Sequence, residues 1–161
     1  MHALCDKIPG MNFSRITDDL FIGTTPLAKD YQRLHDLGVR LVINMRFTRR
    51  PDPNPSGLPL DLLWLRTIDS LLFPIPIRKL VEGAGVALET IRAGGAVYTH
   101  CAYGRHRAVA MGAAVLIAQG HAPRQAMDLI KAKRRVADPE AFHIRRRIVQ
   151  FARQWEEFNP F

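Results

Sequence analysis

Apolar positions recur along this chain at two different periods, and the change from one to the other marks out its elements. Residues 1–12 show neither period. Asp19-Leu-Phe-Ile-Gly23 reads as a short strand ending at glycine. Leu27, Tyr31, Leu34 and Leu37 fall at three- and four-residue spacing, which predicts an amphipathic helix over 26–37 that Gly38 stops. Val39–Met45 is a compact apolar run rich in β-branched residues, as in a buried strand. Residues 46–61 hold four prolines and three arginines and predict an irregular loop. Leu62–Arg66 is the next strand, followed by a turn-prone stretch containing Asp69 and Pro74. The helical pattern returns over 76–92, with Ile77, Leu80, Val81, Ala84, Leu88 and Ile91 inward, and ends at Gly94-Gly95. Ala96–His100 forms another buried strand. An apolar helix then spans about 108–119, and two more cover roughly 122–134 and 139–157. Strands alternating with helices predict an α/β fold: one three-layer sandwich with a mainly parallel central sheet flanked by helices. There is no repeat or linker, so the expected organisation is a lead-in over 1–13 and one domain over 14–161.

The segment Val97-Tyr-Thr-His-Cys-Ala-Tyr-Gly-Arg-His-Arg-Ala108 runs from a strand through a tight turn into a helix. Such a turn points successive backbone N–H groups into one concavity, and the helix adds its positive N-terminal end, so the place suits an anion. A cysteine at its mouth, Cys101, is favoured as the thiolate. Six positions on, Arg107 can return a two-pronged guanidinium to the same anion, which lysine would do poorly. An isolated cysteine at a strand end is usually an inert core thiol. Here strand, Cys, Gly, Arg and helix fall in the order that phosphate chemistry requires.

Charge agrees with an anionic partner. The chain has 161 residues, 47% of them apolar and 24% charged, and its 23 Lys and Arg against 15 Asp and Glu leave a net +8. That composition excludes a disordered tail or a coiled coil. No apolar run approaches a membrane span, and the start lacks the order of a secretory signal. Two cysteines, Cys5 and Cys101, make no disulfide framework and fit a reducing, cytoplasmic setting. Cys5 is a remote candidate partner for an oxidised Cys101. The six histidines show no close-spaced ligand pattern, so no metal and no cofactor is expected.

His100-Cys101-x5-Arg107 after a strand resembles the active-site motif of the cysteine-dependent protein tyrosine phosphatases, and the short chain resembles their dual-specificity branch. The likeness extends over about 14–157. Ile16–Gly23 is similar to the family's opening strand, Leu37–Asn44 to its helix-to-strand step, Thr67-Ile-Asp69 with Pro74 to its general-acid loop, and Lys133–Val136 to the turn before its last helix. The resemblance implies a phosphomonoester hydrolase acting on phosphotyrosine and phosphoserine/threonine through a cysteinyl-phosphate. Cys101 would be the nucleophile and Arg107 the phosphate clamp, with the loop Ala102, Tyr103, Gly104, Arg105, His106 and Arg107 holding the phosphoryl oxygens. Asp69, 32 residues before the cysteine, would be the general acid and then the base. Asp61, 40 before it, would sit at the wrong end of its strand. His100 would support the loop from behind and help keep Cys101 ionised. Tyr103 would pack or line the mouth.

Three departures qualify the likeness. Many relatives carry Ser or Thr after the arginine, where this chain has Ala108; losing that hydroxyl should slow phosphoenzyme breakdown, on the order of 1–3 kcal/mol. The segment Val136–Phe142 lacks the Asn or Gln that relatives often use near the last helix to position water. Arg105 and His106, with Arg46, Arg49 and Arg50, would form a basic rim. The rim raises an alternative substrate carrying several phosphates: an inositol phosphate, a phosphoinositide or an RNA 5′-triphosphate. The expected partner is thus a phosphorylated protein or peptide, or a small polyanionic phosphate ester, and no stable nucleic-acid complex. Of the late basic residues Lys131, Lys133, Arg134, Arg135, Arg145, Arg146 and Arg147, some belong on solvent faces of helices, and Arg145–Arg147 point three ways round a helix and make no single patch; Trp64 with Leu71-Leu72-Phe73 is read as core packing, with an apolar wall for a substrate ring as the alternative. A monomer is the default. Competing readings are a low-turnover phosphate-binding module and, last, an RNA-binding domain, which has no recognition motif in its favour.

Overall fold

A computed structural model of the chain describes residues 11–54 and 57–158. Cys5 lies outside the described residues. The strands are β1 (Phe13–Thr17), β2 (Leu20–Gly23), β3 (Val39–Arg46), β4 (Asp61–Thr67) and β5 (Ala96–His100). The helices are α1 (Tyr31–Asp36), α2 (Ile77–Arg92), α3 (Arg107–Ala118), α4 (Pro123–Lys133) and α5 (Phe142–Phe158). The sheet order is β1-β2-β5-β3-β4; β1 pairs antiparallel with β2, and β2, β5, β3 and β4 run parallel.

The sheet separates two apolar clusters. On one face α1 supplies Tyr31 and Leu34 against Phe21, Val39, Val42 and Tyr98. On the other, α2–α5 cover Ile22, Leu41, Ile43 and Val97, with α3 at the centre. Helix α3 is buried from Ala108 to Ile117, which explains why its sequence is apolar all round rather than amphipathic. The expected three-layer α/β sandwich is therefore present, with one layer reduced to a single short helix.

Two local expectations need correction. The strand expected over 19–23 is β2, but the stretch Ile16–Gly23, likened to one opening strand, is broken by a turn at Asp18-Asp19 that joins β2 to the half-exposed edge strand β1. The helix expected over 26–37 is a 3₁₀ turn, Ala28–Asp30, followed by α1. The Asp30 carboxylate accepts the Leu27 N–H at 2.8 Å and fixes that turn, and Leu27 and Leu37 stay exposed. Among the described residues no helix is long and apolar enough to cross a membrane. Because β5, β3 and β4 are parallel, their C-terminal ends converge on one edge of the sheet, the usual ligand position in such a fold.

Candidate active site

At that edge β5 ends at His100 and the chain turns through Cys101–His106 into α3. Gly104 has φ +62°, and a Cβ there would stand 2.7 Å from the Gly23 carbonyl oxygen and 2.7 Å from an Arg134 nitrogen. Both the conformation and the space demand glycine. The loop is held from behind by Arg134, itself only 3% exposed. Its Nε donates to the Gly104 carbonyl at 2.8 Å, one Nη to the Tyr103 carbonyl at 3.1 Å, and the other to Ser14 Oγ at 3.1 Å. The Asp138 N–H takes the next carbonyl, that of Arg105, at 3.0 Å. Thr25 Oγ1 donates to the Cys101 carbonyl at 3.3 Å. In a trans peptide the N–H points opposite to the C=O. Tying the carbonyls of 101, 103, 104 and 105 outward therefore turns the amides of 102, 104, 105 and 106 to the other side, an arrangement that could receive an anion.

Arg107 opens α3. One Nη donates to the carbonyls of Thr67 at 2.9 Å and Met45 at 3.4 Å, so the ends of β4 and β3 fix the guanidinium. Its Nε is buried with no hydrogen-bond partner among the described residues. An arginine N–H in that state has an unmet demand for an acceptor. Cys101 is 3% exposed, and Ala108 is fully buried with its carbonyl taken by Thr99 Oγ1 at 2.9 Å.

The floor of the loop is cationic. Burial pushes the Arg134 guanidinium down, while neighbouring Tyr98 and Cys101 pull it back up. His100 is 1% exposed; burial, then the charge of Arg46, pushes its pKa down to about 3, with smaller contributions from Arg49 and Arg107. At that pKa the ring is neutral when folded, and its Nδ1 is buried with no hydrogen-bond partner among the described residues.

The mouth differs. In the loop after β4, Asp69 accepts from His106 Nδ1 at 2.9 Å through one oxygen and from His143 Nε2 at 2.6 Å through the other. His106 belongs to the phosphate loop and His143 to the first turn of α5, so Asp69 is pinned against the cradle from two sides. The two rings meet edge to face at 5.0 Å, and His106 Nε2 faces Asp138 at 3.6 Å. Partial burial pushes the Asp69 carboxyl up, but the hydrogen bonds and charges of His106 and His143 outweigh it and hold it below the ordinary carboxylate range. Asp61, at the start of β4, lies at the other end of that strand.

The rim is less basic than the sequence suggests. Arg46 bonds Thr25 Oγ1 at 3.1 Å, beside the loop. Arg49 is paired with Asp52 at 3.1 Å, Arg105 with Asp138 at 3.5 Å, and Arg50 is exposed. Tyr103 projects outward, 78% exposed. Of the late basic residues, Arg134 is thus a buried loop anchor. Leu71, Leu72 and Phe73 are 66%, 83% and 60% exposed, against the expectation of core packing. Trp64, half-buried, donates from Nε1 to the Arg46 carbonyl at 2.6 Å.

No family model matches the chain. Dual specificity phosphatase 28 of Mus musculus is 30% identical over 132 residues, which cover 79% of this chain and 76% of the relative. This chain is a dual-specificity phosphatase. Its human counterpart in that comparison is 30% identical over 130 residues, covering 78% of this chain and 69% of that one. A crystal structure of PTPMT1 in complex with PI(5)P superposes with a TM-score of 0.79 at 25% identity, over 91% of the phosphatase described here and 97% of its own chain. The crystal structure of human DUSP28 gives 0.74 at 22% identity over 91% and 99%, a likeness of fold. The phosphatase therefore belongs to the protein tyrosine phosphatase superfamily, as the loop motif implies.

Proposed function

We propose that this phosphatase hydrolyses phosphotyrosine and phosphoserine/threonine through a cysteinyl-phosphate on Cys101. In the first step Sγ attacks phosphorus, the P–O bond to the alcohol or phenol breaks, and a proton reaches the leaving oxygen from Asp69. In the second, Asp69 takes a proton from water as the water oxygen attacks phosphorus, and the P–S bond breaks to return the thiolate. The loop amides and Arg107 meet the charge on the equatorial oxygens. The observation that carries this reading is the buried, unpartnered Nε of Arg107 beside a loop whose carbonyls are tied outward. An ionised Asp69 suits the second step as it stands. For the first it must itself carry a proton taken from solvent, so that one of its oxygens gives up the N–H it now accepts from His106 or His143 and donates to the leaving oxygen instead. Ala108 offers no hydroxyl to the departing thiolate, so the second step is the slower one.

A second reading, phosphoinositide hydrolysis, is favoured by one observation: the exposed Leu71-Leu72-Phe73 tip lies in the same loop as Asp69, with cationic Arg66 and Arg78 exposed close by in sequence. Such a tip suits shallow insertion among lipids, and the PTPMT1 structure was solved with PI(5)P. The test is phosphate release, in chelator, from phosphotyrosine and phosphothreonine peptides, inositol phosphates, a triphosphorylated RNA and phosphoinositide vesicles. Wild type is compared with Cys101→Ser and Asp69→Asn. Release from the peptides, abolished by Cys101→Ser, is expected. A preference for vesicles that is lost in Leu72→Ser would promote the second reading. Ligand binding without release from any substrate would leave a phosphate-binding module.

A further inference from the structure

We propose that Asp69, His106 and His143 form a binding site for one divalent cation of the zinc class. Their donor atoms, one per residue, all lie within 4.8 Å of one another. Two imidazoles and a carboxylate are the borderline donors that zinc, cobalt and nickel take in preference to magnesium or calcium. A tetrahedral ion with bonds of about 2.0–2.1 Å needs its donors roughly 3.3 Å apart. The His–Asp separations of 2.9 and 2.6 Å run to different oxygens of Asp69, so an ion held by one of those oxygens has one imidazole already near that distance, and side-chain rotation must bring in the other from within 4.8 Å. The ion takes the place of the two N–H protons that now join the rings to the carboxylate; each neutral ring then carries its single proton on its other nitrogen, which in His106 is the Nε2 facing Asp138.

Three further features fit a cation better than a mere hydrogen-bonded cluster. His106 offers Nδ1 to the site while its Nε2 faces the Asp138 carboxylate at 3.6 Å, the outer carboxylate that commonly orients a ligating imidazole. Asp69 and Asp138 together carry two negative charges, enough to match a divalent ion within an otherwise basic surface, although Asp138 also faces Arg105. The side chains are 35%, 21% and 17% exposed, which leaves a path for the ion and an open position for water. The three ligands come from the loop after β4, the phosphate loop and the start of α5, so an ion would clasp these segments together. It would also occupy the carboxylate that serves as acid and base. That consequence for turnover rests on the function proposed above; the binding does not.

The experiment uses the full chain, stripped of metal by chelator and desalted, in a Cys101→Ser background so that no thiolate competes. Cobalt(II) is added while the visible d–d absorption is followed, and zinc is then titrated by calorimetry. One cobalt per chain, displaced by one zinc, is expected. His143→Gln should weaken binding at least tenfold, and His121→Gln should leave it unchanged. Zinc should raise the melting temperature of the parent and not that of His143→Gln. If that variant does not fold, His106→Ser carries the same comparison. No stoichiometric binding, or equal binding in all variants, overturns the site. Wild-type turnover in chelator separates the two proposals: turnover without cobalt binding removes only the metal site, and binding without turnover removes only the hydrolase.

Discussion

The floor and the mouth of the active site are built on opposite plans. The floor is a buried cation, Arg134, with three acceptors, and a strand-anchored arginine, Arg107, facing a loop that glycine alone can make. The mouth is a half-exposed carboxylate shared by two imidazoles from distant segments. The floor is fixed by groups that cannot be left unsatisfied out of water, and so it is preorganised for an anion. The mouth is held by bonds that water or a cation can replace, and so it can be tuned. On the mechanism proposed above, binding phosphate and moving protons thus fall to regions held by different kinds of contact.

The contrast can be broken at the floor with the largest effect. Arg107→Lys keeps the charge but cannot serve Thr67 and a phosphoryl oxygen together, and steady-state kinetics should show kcat falling about 10²–10³-fold. Arg134→Met leaves the carbonyls of Tyr103 and Gly104 without their donor. At about 1–3 kcal/mol for each buried group left unpaired, denaturant unfolding should show a loss of several kcal/mol, with weaker binding of inorganic phosphate. Next comes pH. His100 is neutral when folded, its pKa lying near 3 against 6.5 in the unfolded chain. Between those values the unfolded chain binds the extra proton, so stability is full above about 6.5 and falls by up to about 1.4 kcal/mol per unit as pH drops toward 3. His100→Asn should flatten that slope in unfolding measured at pH 7.5 and pH 5. The smallest effect is a gain: Ala108→Ser should speed phosphoenzyme breakdown at least about tenfold, read as a shorter-lived intermediate after rapid mixing, since a single hydrogen bond to a charged group contributes about 1.5 kcal/mol or more.

What the sequence made legible follows the same division. Strand, Cys101, Gly104, Arg107 and helix are contiguous, and their order alone implies the cradle. Asp69 could be found through its spacing, its strand and the following proline. His143 could not, because only the packing of α5 beside the phosphate loop brings it to a residue 74 positions earlier. Arg134 was hidden among six neighbouring basic residues; its burial depends on carbonyls supplied by a loop thirty residues away. The rim was overestimated because Asp52 and Asp138 neutralise arginines from outside the motif. The tip Leu71–Phe73 runs against its sequence because apolar runs are ordinarily buried, and this one projects from the loop that carries Asp69.

The central claim, that Cys101 is the attacking nucleophile, is tested most directly by acid-quenching wild type during turnover of an aryl phosphate and mapping the modified peptide by mass spectrometry. One phosphoryl group on Cys101, accumulating because Ala108 gives the thiolate no help in leaving and absent from Cys101→Ser, is the predicted result. Phosphate release with Cys101 unmodified, and undiminished in Cys101→Ser, would contradict it.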